Sequence, residues 1–210
     1  MRVVGLFIGK PREADLTGGR FYTGGAKSAV ASAYLRFHGF EGDGQGNLKY
    51  HGGKDRTACV YPAERYAWWK EIRGYDLPFG AFSENLAVEG ATEEAVCIGD
   101  VYRIGDALVQ VTLPRDPCRT IDRVTGVPGL WGIARDTGAC GFHMRTVKEG
   151  LVTAGSPFVL ESRHPEGITV AMALALYHGR SRDVVLADRL VHMPEFAVEG
   201  KKVIAARLGL

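Results

Sequence analysis

The residue best suited to chemistry is Cys118, which ends the run Pro114-Arg115-Asp116-Pro117-Cys118. Its two prolines end a preceding strand and stiffen the turn that presents the thiol. Arg115 and Arg119 flank the thiol, and cationic neighbours lower a thiol pKa and favour the thiolate, which is both the nucleophile and the metal ligand. The local sequence leaves two interpretations open, a functional thiolate and an inert buried thiol.

A second candidate is the turn His51-Gly52-Gly53-Lys54-Asp55. Its glycines would allow backbone N–H groups to approach a ligand closely, and the His, Lys and following Arg56 side chains can contact phosphate oxygens. The Gly-Lys-Ser/Thr spacing of a Walker loop is absent. Arg12 and Lys27 could add positive charge to the same pocket. A plain polar turn and a solvated basic face remain the alternatives.

Polar residues also interrupt the apolar segment Phe82-Ser83-Glu84-Asn85. Buried Glu and Asn side chains need partners, so this segment is expected to organise a hydrogen-bond network. Of the other cysteines, Cys59 and Cys97 are expected in the core, whereas Cys140 lies in a turn that could approach a pocket. No Cys-x-x-Cys pair or zinc-finger His spacing is present, so a structural zinc site is not expected.

Composition limits the class of protein. The 210 residues are 46% hydrophobic and 24% charged, which favours a globular chain over a disordered one. No apolar run is long enough to span a membrane, and no signal peptide is recognised, so we expect a cytoplasmic protein with reduced thiols. A net charge of +2 does not favour binding to a nucleic-acid polymer.

The pattern of short elements predicts the fold. Alternating or apolar runs predict strands at 2–9, 26–35, 57–61, 84–89, 98–104, 107–113, 142–147 and 157–163. Residues 10–25 are predicted to form a long loop, 62–73 a helix opened by Pro62, and 119–136 helical pieces interrupted at Gly126 and Pro128. Helices at 170–178, 182–191 and 195–208 follow, with Thr169 and Ser181 as N-caps of the first two. The expected fold is mainly β with α: a largely antiparallel β-barrel with peripheral helices at 1–164, then a three-helix bundle at 165–210.

Six motifs in register resemble a known family. They are Gly42-Asp43-Gly44-Gln45, His51-Gly52-Gly53-x-Asp55, Tyr66-Ala67-Trp68-Trp69, Phe82-Ser83-Glu84-Asn85-Leu86, Ile98-Gly99-Asp100 and Pro114-Arg115-x-Pro117-Cys118. Together they resemble the MOSC domain, named after the C-terminal domain of molybdenum-cofactor sulfurase, and in particular its bacterial YiiM-like branch. The resemblance runs from about residue 2 to 163, and the helical tail also matches that branch.

The resemblance implies a barrel that binds the molybdenum cofactor, a molybdopterin with a phosphate tail. Cys118 would be the catalytic residue and the protein ligand to molybdenum. The cofactor would be bound by Arg115 and the His51-Gly52-Gly53 turn, with further contacts from Lys27, Arg12, Asn85 and Arg119.

Relatives in the family imply reduction of small N-hydroxylated compounds, of the hydroxylaminopurine or amidoxime type, with electrons from a separate reductase. Two rivals remain open: a sulfur carrier that uses a Cys118 persulfide, and a cofactor-binding module without turnover. A homodimer through Trp68, Trp69 and Trp131 is possible, although core packing explains these residues equally well.

Several departures from the usual motifs stand out. After Cys118, the run Arg119-Thr120-Ile121 occupies positions where an aromatic residue, Lys and Leu are expected. Ser83 occupies a position where the branch usually has Gly, and Leu113 one where it usually has Gln. The run Gly138-Ala139-Cys140-Gly141-Phe142-His143 replaces the usual Gly-Arg-x-Gly-Trp-Tyr. Ala139 therefore removes an arginine that the resemblance places in a pocket wall, and His143 replaces a tyrosine.

Overall fold

An eight-stranded sheet forms the centre of the fold in a computed structural model, which describes residues 1–209 without the side chains of residues 49 and 50. In spatial order, its strands are β13 (Phe158–Ser162), β9 (Val101–Ile104), β10 (Ala107–Pro114), β11 (Phe142–Lys148), β7 (Ala58–Pro62), β8 (Leu86–Glu89), β1 (Arg2–Ile8) and β4 (Ser28–Ala29). Neighbouring strands are antiparallel except for β7 and β8, which run parallel. Of the predicted largely antiparallel barrel, the mostly antiparallel strand pairing is confirmed.

The two ends of this sheet approach one another at the start of β1. An isolated bridge joins Arg2 to Pro157. The backbone N–H of Val3 donates to the oxygen of Ser156, and that of Phe158 to the oxygen of Met1, each at 3.0 Å. No longer strand ladder closes the sheet within residues 1–209, so the closed barrel stays a prediction.

The predicted loop at residues 10–25 is wrong, because this segment forms a hairpin. Strands β2 (Arg12–Leu16) and β3 (Gly19–Thr23) pair antiparallel over five residue pairs. Thr17 and Gly18 make the two-residue turn, and Gly18 and the adjoining Gly19 have φ angles of 91° and 112°, a region that favours glycine. The hairpin is stabilised by backbone pairing and buries few apolar side chains, so its sequence shows little hydrophobic alternation.

A third sheet was predicted only in part. It consists of β12 (Gly150–Thr153), β5 (Ser32–Arg36) and β6 (Gly39–Phe40), whereas the sequence indicated one strand at 26–35 and none at 150–153. The chain bends between β4 and β5, so that each joins a different sheet. Strands this short carry too few residues to establish a period.

Four short helices precede the C-terminal region: α1 (Leu48–His51), α2 (Glu64–Arg73), α3 (Thr120–Thr125) and α4 (Leu130–Thr137). Helix α2 starts after the predicted Pro62, because Pro62 still pairs with Val88 in the sheet. The predicted interruption of the 119–136 region is confirmed at Gly126, whose φ of 73° ends α3.

The three predicted C-terminal helices are present as α5 (Val170–Tyr177), α6 (Val184–His192) and α7 (Val198–Leu208). Helix α7 contacts α5 and α6, while α5 also packs against β10. One apolar cluster joins sheet residues such as Val109 to helix residues such as Leu174 and Ile204. The division into domains at residue 164 stays a prediction. Within residues 1–209, no helix combines the length and apolar character needed to cross a membrane.

A second apolar cluster packs α2, α3 and α4 against one end of β7. Its centre is aromatic: the rings of Tyr61 and Phe82 stack at 4.1 Å, and Trp69 donates from Nε1 to the Tyr61 hydroxyl at 2.7 Å. Phe82 directly precedes Ser83, so this cluster fixes the segment that carries Ser83 and Asn85.

The N-cap of α6 differs from the prediction and can be tested. Thr169 caps α5 as predicted, but Asp183 caps α6, accepting from the backbone N–H of Leu186 at 2.9 Å, while Ser181 only accepts from Asp183 at 3.2 Å. Asp183→Ala should lower the free energy of unfolding by about 1 kcal/mol, because it leaves a helix N–H without its partner. Ser181→Ala is the control in urea unfolding, and an equal loss in both variants would contradict the assignment.

Candidate functional site

A cleft lies where the ends of several strands and loops meet. It brings together residues from the β3–β4 loop, the segment after β6, α1, β7, the segment before β8, the turn after β10, the start of α3, and β11. The residues that line it are Thr23, Gly24, Gly25, Lys27, Asp43, Gly44, Gln45, Gly46, His51, Arg56, Cys59, Ser83, Asn85, Arg115, Asp116, Cys118, Thr120, Ile121 and His143. Five of the predicted site residues are among them: Lys27, His51, Asn85, Arg115 and Cys118.

Cys118 lies in this cleft just before α3, and its side chain is half-buried. Burial alone would raise the pKa of Cys118, but hydrogen bonds with the His51 side chain and with the hydroxyl and backbone of Thr120 outweigh it and lower the pKa to about 7. A substantial fraction of the thiol is therefore ionised at neutral pH. The sequence suggested that the flanking arginines would lower this pKa. In the structure, the hydrogen bonds with His51 and Thr120 are the main cause.

Of the predicted turn at residues 51–55, whose first residue ends α1, one side chain lines the cleft. His51 lines the cleft and hydrogen-bonds with Cys118. Gly52 and Gly53 lie outside the lining, although Gly53 adopts a φ of 109°, as expected for a glycine turn. The turn thus brings an imidazole to the thiol, and the backbone contact predicted at its glycines stays a prediction.

Arg115 is the most deeply buried cation of the cleft, with 7% of its surface exposed. One of its terminal nitrogens, Nη2, donates to the backbone oxygen of Phe82. The other, Nη1, is buried and has no hydrogen-bond partner. A buried guanidinium N–H without a partner is costly, so this position favours a ligand that presents an acceptor or a negative charge.

Lys27 and Asn85 line the cleft, but both are held by Asp43. Lys27 Nζ lies 2.5 Å from Asp43 Oδ1, and Asn85 Nδ2 donates to Asp43 Oδ2 at 2.9 Å. Asn85 also accepts from the backbone N–H of Cys59 at 3.0 Å through Oδ1. The expected network around Asn85 is present. Its amide is engaged within the protein, and the Lys27 charge is balanced by Asp43.

Two predicted site residues lie elsewhere. Arg12 is exposed on β2 and lines a separate groove beside the segment 76–81. Arg119 is exposed, and its guanidinium carbon lies 5.3 Å from the ring centre of Trp131. The structure does not bring these two side chains to the cleft, because β2 turns away in the hairpin and the backbone at Arg119 begins α3.

The other cysteines differ clearly from Cys118. Cys59 lines the cleft, but burial raises the pKa of its thiol. Cys140 is fully buried outside the cleft, where burial and then Glu93 raise the pKa of its thiol, and its Sγ lies 3.2 Å from the oxygen of Ala134. Cys97 is buried and lies 3.0 Å from Nη1 of Arg163. The pKa of Cys118 is thus lowered, whereas burial raises the pKa of Cys59 and Cys140.

Ser83 carries a strained backbone at the edge of the cleft. Its φ of 59° makes it the one non-glycine residue with a positive φ within residues 1–209. Its hydroxyl oxygen is buried and has no hydrogen-bond partner. The same conformation accounts for the glycine that the resemblance expects here, because glycine adopts it without strain.

Several cleft residues were not selected from the sequence. Asp43 belongs to the first motif, and its role as the acceptor of Lys27 and Asn85 could have been suspected from that motif. The pKa of His143 is lowered, first by burial and then by Arg56, Arg115 and His51, so its imidazole is neutral. Arg56, which the sequence suggests as a phosphate contact, does line the cleft. Nothing in the local sequence indicates that Thr120 hydrogen-bonds with Cys118.

The three tryptophans that could form a dimer interface differ in their burial. Trp69 is fully buried in the aromatic cluster, so it is not available to a partner. Trp68 and Trp131 are partly exposed beside that cluster. The homodimer stays a prediction.

The strain at Ser83 leads to a stability prediction. Ser83→Gly should raise the free energy of unfolding by about 1 kcal/mol relative to Ser83→Ala, because both variants remove the buried hydroxyl and only glycine relieves the strained φ. Urea unfolding of the two variants measures the difference. An alanine variant as stable as the glycine variant would mean that the backbone here carries no strain.

The contact between His51 and Cys118 gives a second prediction. His51→Ala should slow alkylation of Cys118 by iodoacetamide at pH 7 by about five- to tenfold, because the pKa of the thiol rises towards its ordinary value. Peptide mass spectrometry follows Cys118 alone. Lys54→Ala, on the same turn and exposed, is the control and should leave the rate unchanged; equal rates in all three proteins would exclude His51 as the cause.

Comparison with known proteins gives relatives that extend over most of this chain. The uncharacterized protein YflK of Bacillus subtilis is 40% identical over 90% of the chain and 86% of its own length. The protein YiiM of Escherichia coli is 36% identical over 74% of the chain and 73% of its own length. A fungal protein named "Reductase", from Gibberella moniliformis, is 34% identical over 55% of the chain, which spans 22% of that protein.

Solved structures have the same fold. YiiM from Geobacillus stearothermophilus matches with a TM-score of 0.81 and 28% identity, covering 98% of both chains. YiiM from Escherichia coli matches with a TM-score of 0.76 and 26% identity, covering 99% of this chain and 92% of its own. The family model of the MOSC domain matches residues 47–159, which contain Cys118, Arg115 and most of the cleft. The chain therefore belongs to the MOSC domain family.

Proposed function

We propose that this protein binds the molybdenum cofactor in its cleft and reduces N-hydroxylated compounds, using electrons from a separate reductase. The observation that carries the proposal is that the half-buried Cys118 thiol, which hydrogen-bonds with His51, lies in one cleft with the buried Arg115 guanidinium. A thiolate is a soft ligand suited to a transition metal, and a guanidinium suits a phosphate.

The cleft residues fit such a group. The cofactor would offer a metal to Cys118 Sγ and phosphate oxygens to the unpartnered Nη1 of Arg115. Lys27 and Arg56 also line the cleft, but Asp43 and Glu199 balance their charges. Arg115 is therefore the better candidate for a charge-assisted contact with the phosphate.

The overall reaction converts an N-hydroxylated compound, two electrons and two protons into the corresponding amine or amidine and water. When bound, the cofactor would supply the two-electron redox chemistry of this reaction. His51 and Thr120 keep the Cys118 sulfur ionised, so that it can bind the metal. Arg115 orients the group, and the neutral imidazole of His143 lines the cleft as a polar contact for substrate.

The fungal relative named "Reductase" supports redox chemistry, although its name states no substrate or donor. The proposal includes a cytoplasmic location, a small-molecule substrate and a MOSC domain ending near residue 164. No nucleic-acid or membrane partner is part of it.

One observation also favours a sulfur carrier. A thiol with a pKa of about 7 is a nucleophile even without a metal. In that case the Cys118 thiolate would take the outer sulfur of a donor persulfide, with release of the donor thiol, and pass that sulfane sulfur to an acceptor nucleophile. A module that binds the cofactor without turnover would instead contain molybdenum and leave N-hydroxylated compounds unchanged when a reductase is supplied.

Metal and pterin content test the proposal. Protein purified from a host that makes molybdopterin should contain near-stoichiometric molybdenum by mass spectrometry and pterin by fluorescence after oxidation. Cys118→Ser should lose most of the molybdenum, because an alcohol is a poor replacement for a thiolate ligand. Cys59→Ser, which changes the protonated thiol of the same cleft, is the matched control and should retain it.

The outcomes separate the three functions. Molybdenum that depends on Cys118, together with reductase-dependent loss of amidoximes or N-hydroxylated bases, is the expected result. Molybdenum without turnover would favour the binding module. Neither molybdenum nor pterin in the wild type, with cofactor supply confirmed by a control enzyme and sulfane sulfur present on Cys118, would overturn the proposal in favour of sulfur transfer.

A further inference from the structure

We propose that a subsite of the cleft, formed by Ser83 and Thr23 over Gly25, binds one oxygen of a tetrahedral oxyanion whose charge is balanced by Arg115. All four residues line the cleft. The usual motif has glycine in place of Ser83, so it provides no hydroxyl at this position. The inference deepens the proposed function and rests on it for the assignment of Arg115 to a phosphate. The oxyanion is either free or the phosphate group of a larger ligand.

Ser83 carries two energetic costs that no contact offsets within the described chain. Its φ is 59°, a region that residues other than glycine adopt only under constraint. Its hydroxyl oxygen is buried and has no hydrogen-bond partner among residues 1–209, and an unpaired buried polar group destabilises the folded state. Strain and unpaired polar groups of this kind occur at ligand sites, where the ligand supplies the missing contact. A ligand that hydrogen-bonds with Ser83 accounts for both costs.

The neighbouring contacts hold Ser83 in this conformation. Its backbone N–H donates to the oxygen of Gly80 at 2.9 Å, and the N–H of Asn85 donates to the oxygen of Cys59 at 2.8 Å. Phe82, which precedes Ser83, is fully buried in the aromatic cluster. A strained residue persists only where its surroundings determine its conformation. The Ser83 hydroxyl is therefore held in place before any ligand arrives.

Gly25 keeps a space open in front of this hydroxyl. A Cβ at residue 25 would lie 2.9 Å from Ser83 Oγ, 3.2 Å from Thr23 Oγ1 and 3.2 Å from Thr120 Cγ2. The φ of Gly25 is not positive, so the backbone conformation does not itself require glycine. What glycine provides here is the space, and two hydroxyl oxygens border it.

Both hydroxyls can donate into this space. Thr23 Oγ1 accepts from the backbone N–H of Gly25 at 2.9 Å, which leaves the O–H hydrogen of Thr23 available as a donor. Ser83 Oγ has no partner of either kind in the described chain. Two converging O–H donors suit an oxygen atom with several lone pairs, such as one oxygen of an oxyanion. An apolar group in the same space would leave the Ser83 hydroxyl unpaired.

Arg115 supplies positive charge next to this space. Its Nη2 donates to the backbone oxygen of Phe82, and the same peptide unit continues into Ser83. Its Nη1 is buried and lacks a partner in the described part of the chain. One peptide unit therefore separates the guanidinium from the residue that carries the hydroxyl. The oxygens of a tetrahedral anion point in different directions, so one can contact Nη1 while another lies over Gly25.

The test is calorimetric titration of inorganic phosphate into the full-length chain, produced in a host that makes no molybdopterin and kept in phosphate-free buffer. The wild type should bind phosphate. Ser83→Ala should weaken the binding about tenfold, because a hydrogen bond to a charged group is lost. Ser83→Gly should weaken it equally, although it relieves the backbone, because both variants lack the hydroxyl. The two variants thus separate the hydroxyl from the strain.

A second pair of variants tests the space over Gly25. Gly25→Ala should weaken phosphate binding by about tenfold or more, because its methyl group fills the space between the two hydroxyls and displaces an oxygen that binds there. Gly132→Ala on α4 is the matched control, since no atom outside its own helix turn lies within 4 Å of the added Cβ. It should bind phosphate like the wild type, and urea unfolding checks that both variants are folded.

Three results would overturn the inference: no phosphate binding by the wild type, equal binding by Ser83→Ala and Gly132→Ala, or weakening in Ser83→Ala that Ser83→Gly restores. Titration of protein loaded with cofactor identifies the source of the anion. Added phosphate no longer binds if the subsite holds a phosphate of the cofactor, and it binds unchanged if the subsite takes a free anion. Molybdenum that depends on Cys118, beside phosphate binding that ignores Ser83, would keep the proposed function and reject this subsite.

Discussion

The site depends on a buried carboxylate, Asp43, that ties three separate segments together. One oxygen accepts from the backbone of Gly9 at 2.8 Å and from Lys27, while the other accepts from Asn85. The end of β1, the loop before β4 and the start of β8 therefore meet at one side chain that is 4% exposed. Removing one partner of a buried ion pair costs about 3–5 kcal/mol of folding free energy, so separating these segments would strongly destabilise the protein. The cleft exists because this contact holds its walls.

The pairing of charged side chains also determines which groups of the cleft remain available to a ligand. Lys27 is balanced by Asp43, and Arg56 is balanced by Glu199. Burial raises the pKa of Glu84, in spite of its hydrogen bonds with Tyr66 and Gly80, which weakens it as a counter-charge for Arg115. Two groups of the cleft remain available. They are the Arg115 guanidinium, whose buried Nη1 has no partner, and the Cys118 thiol, whose pKa is about 7. This pairing of a soft ligand with an anion-binding group is the chemical basis of the proposed function.

The sequence was informative where one physical signal dominated. Strong alternation and apolar runs predicted β1, β10 and β11, and a cysteine in a proline-rich turn beside the six motifs led to Cys118, Arg115, His51, Lys27 and Asn85. The β2–β3 hairpin was missed because backbone pairing leaves little hydrophobic pattern. Arg12 and Arg119 were selected for charge alone, and charge does not reveal which way a side chain faces. Arg56 and Glu199 are 143 residues apart, so only the fold could pair them.

The residues that depart from the family motifs lie in different parts of the fold. Leu113 is 1% exposed and packs towards Gly200, so that position changes how α7 approaches the sheet. Ala139 is buried in the aromatic cluster, where its backbone oxygen accepts from the Tyr61 hydroxyl at 3.0 Å. Ser83 and His143, in contrast, line the cleft. Each adds an uncharged hydrogen-bonding side chain with a buried atom that lacks a partner. Thr120 and Ile121 also line the cleft, at positions where the resemblance expects Lys and Leu. The departures therefore change the hydrogen-bonding surface of the cleft and remove one expected positive charge from it.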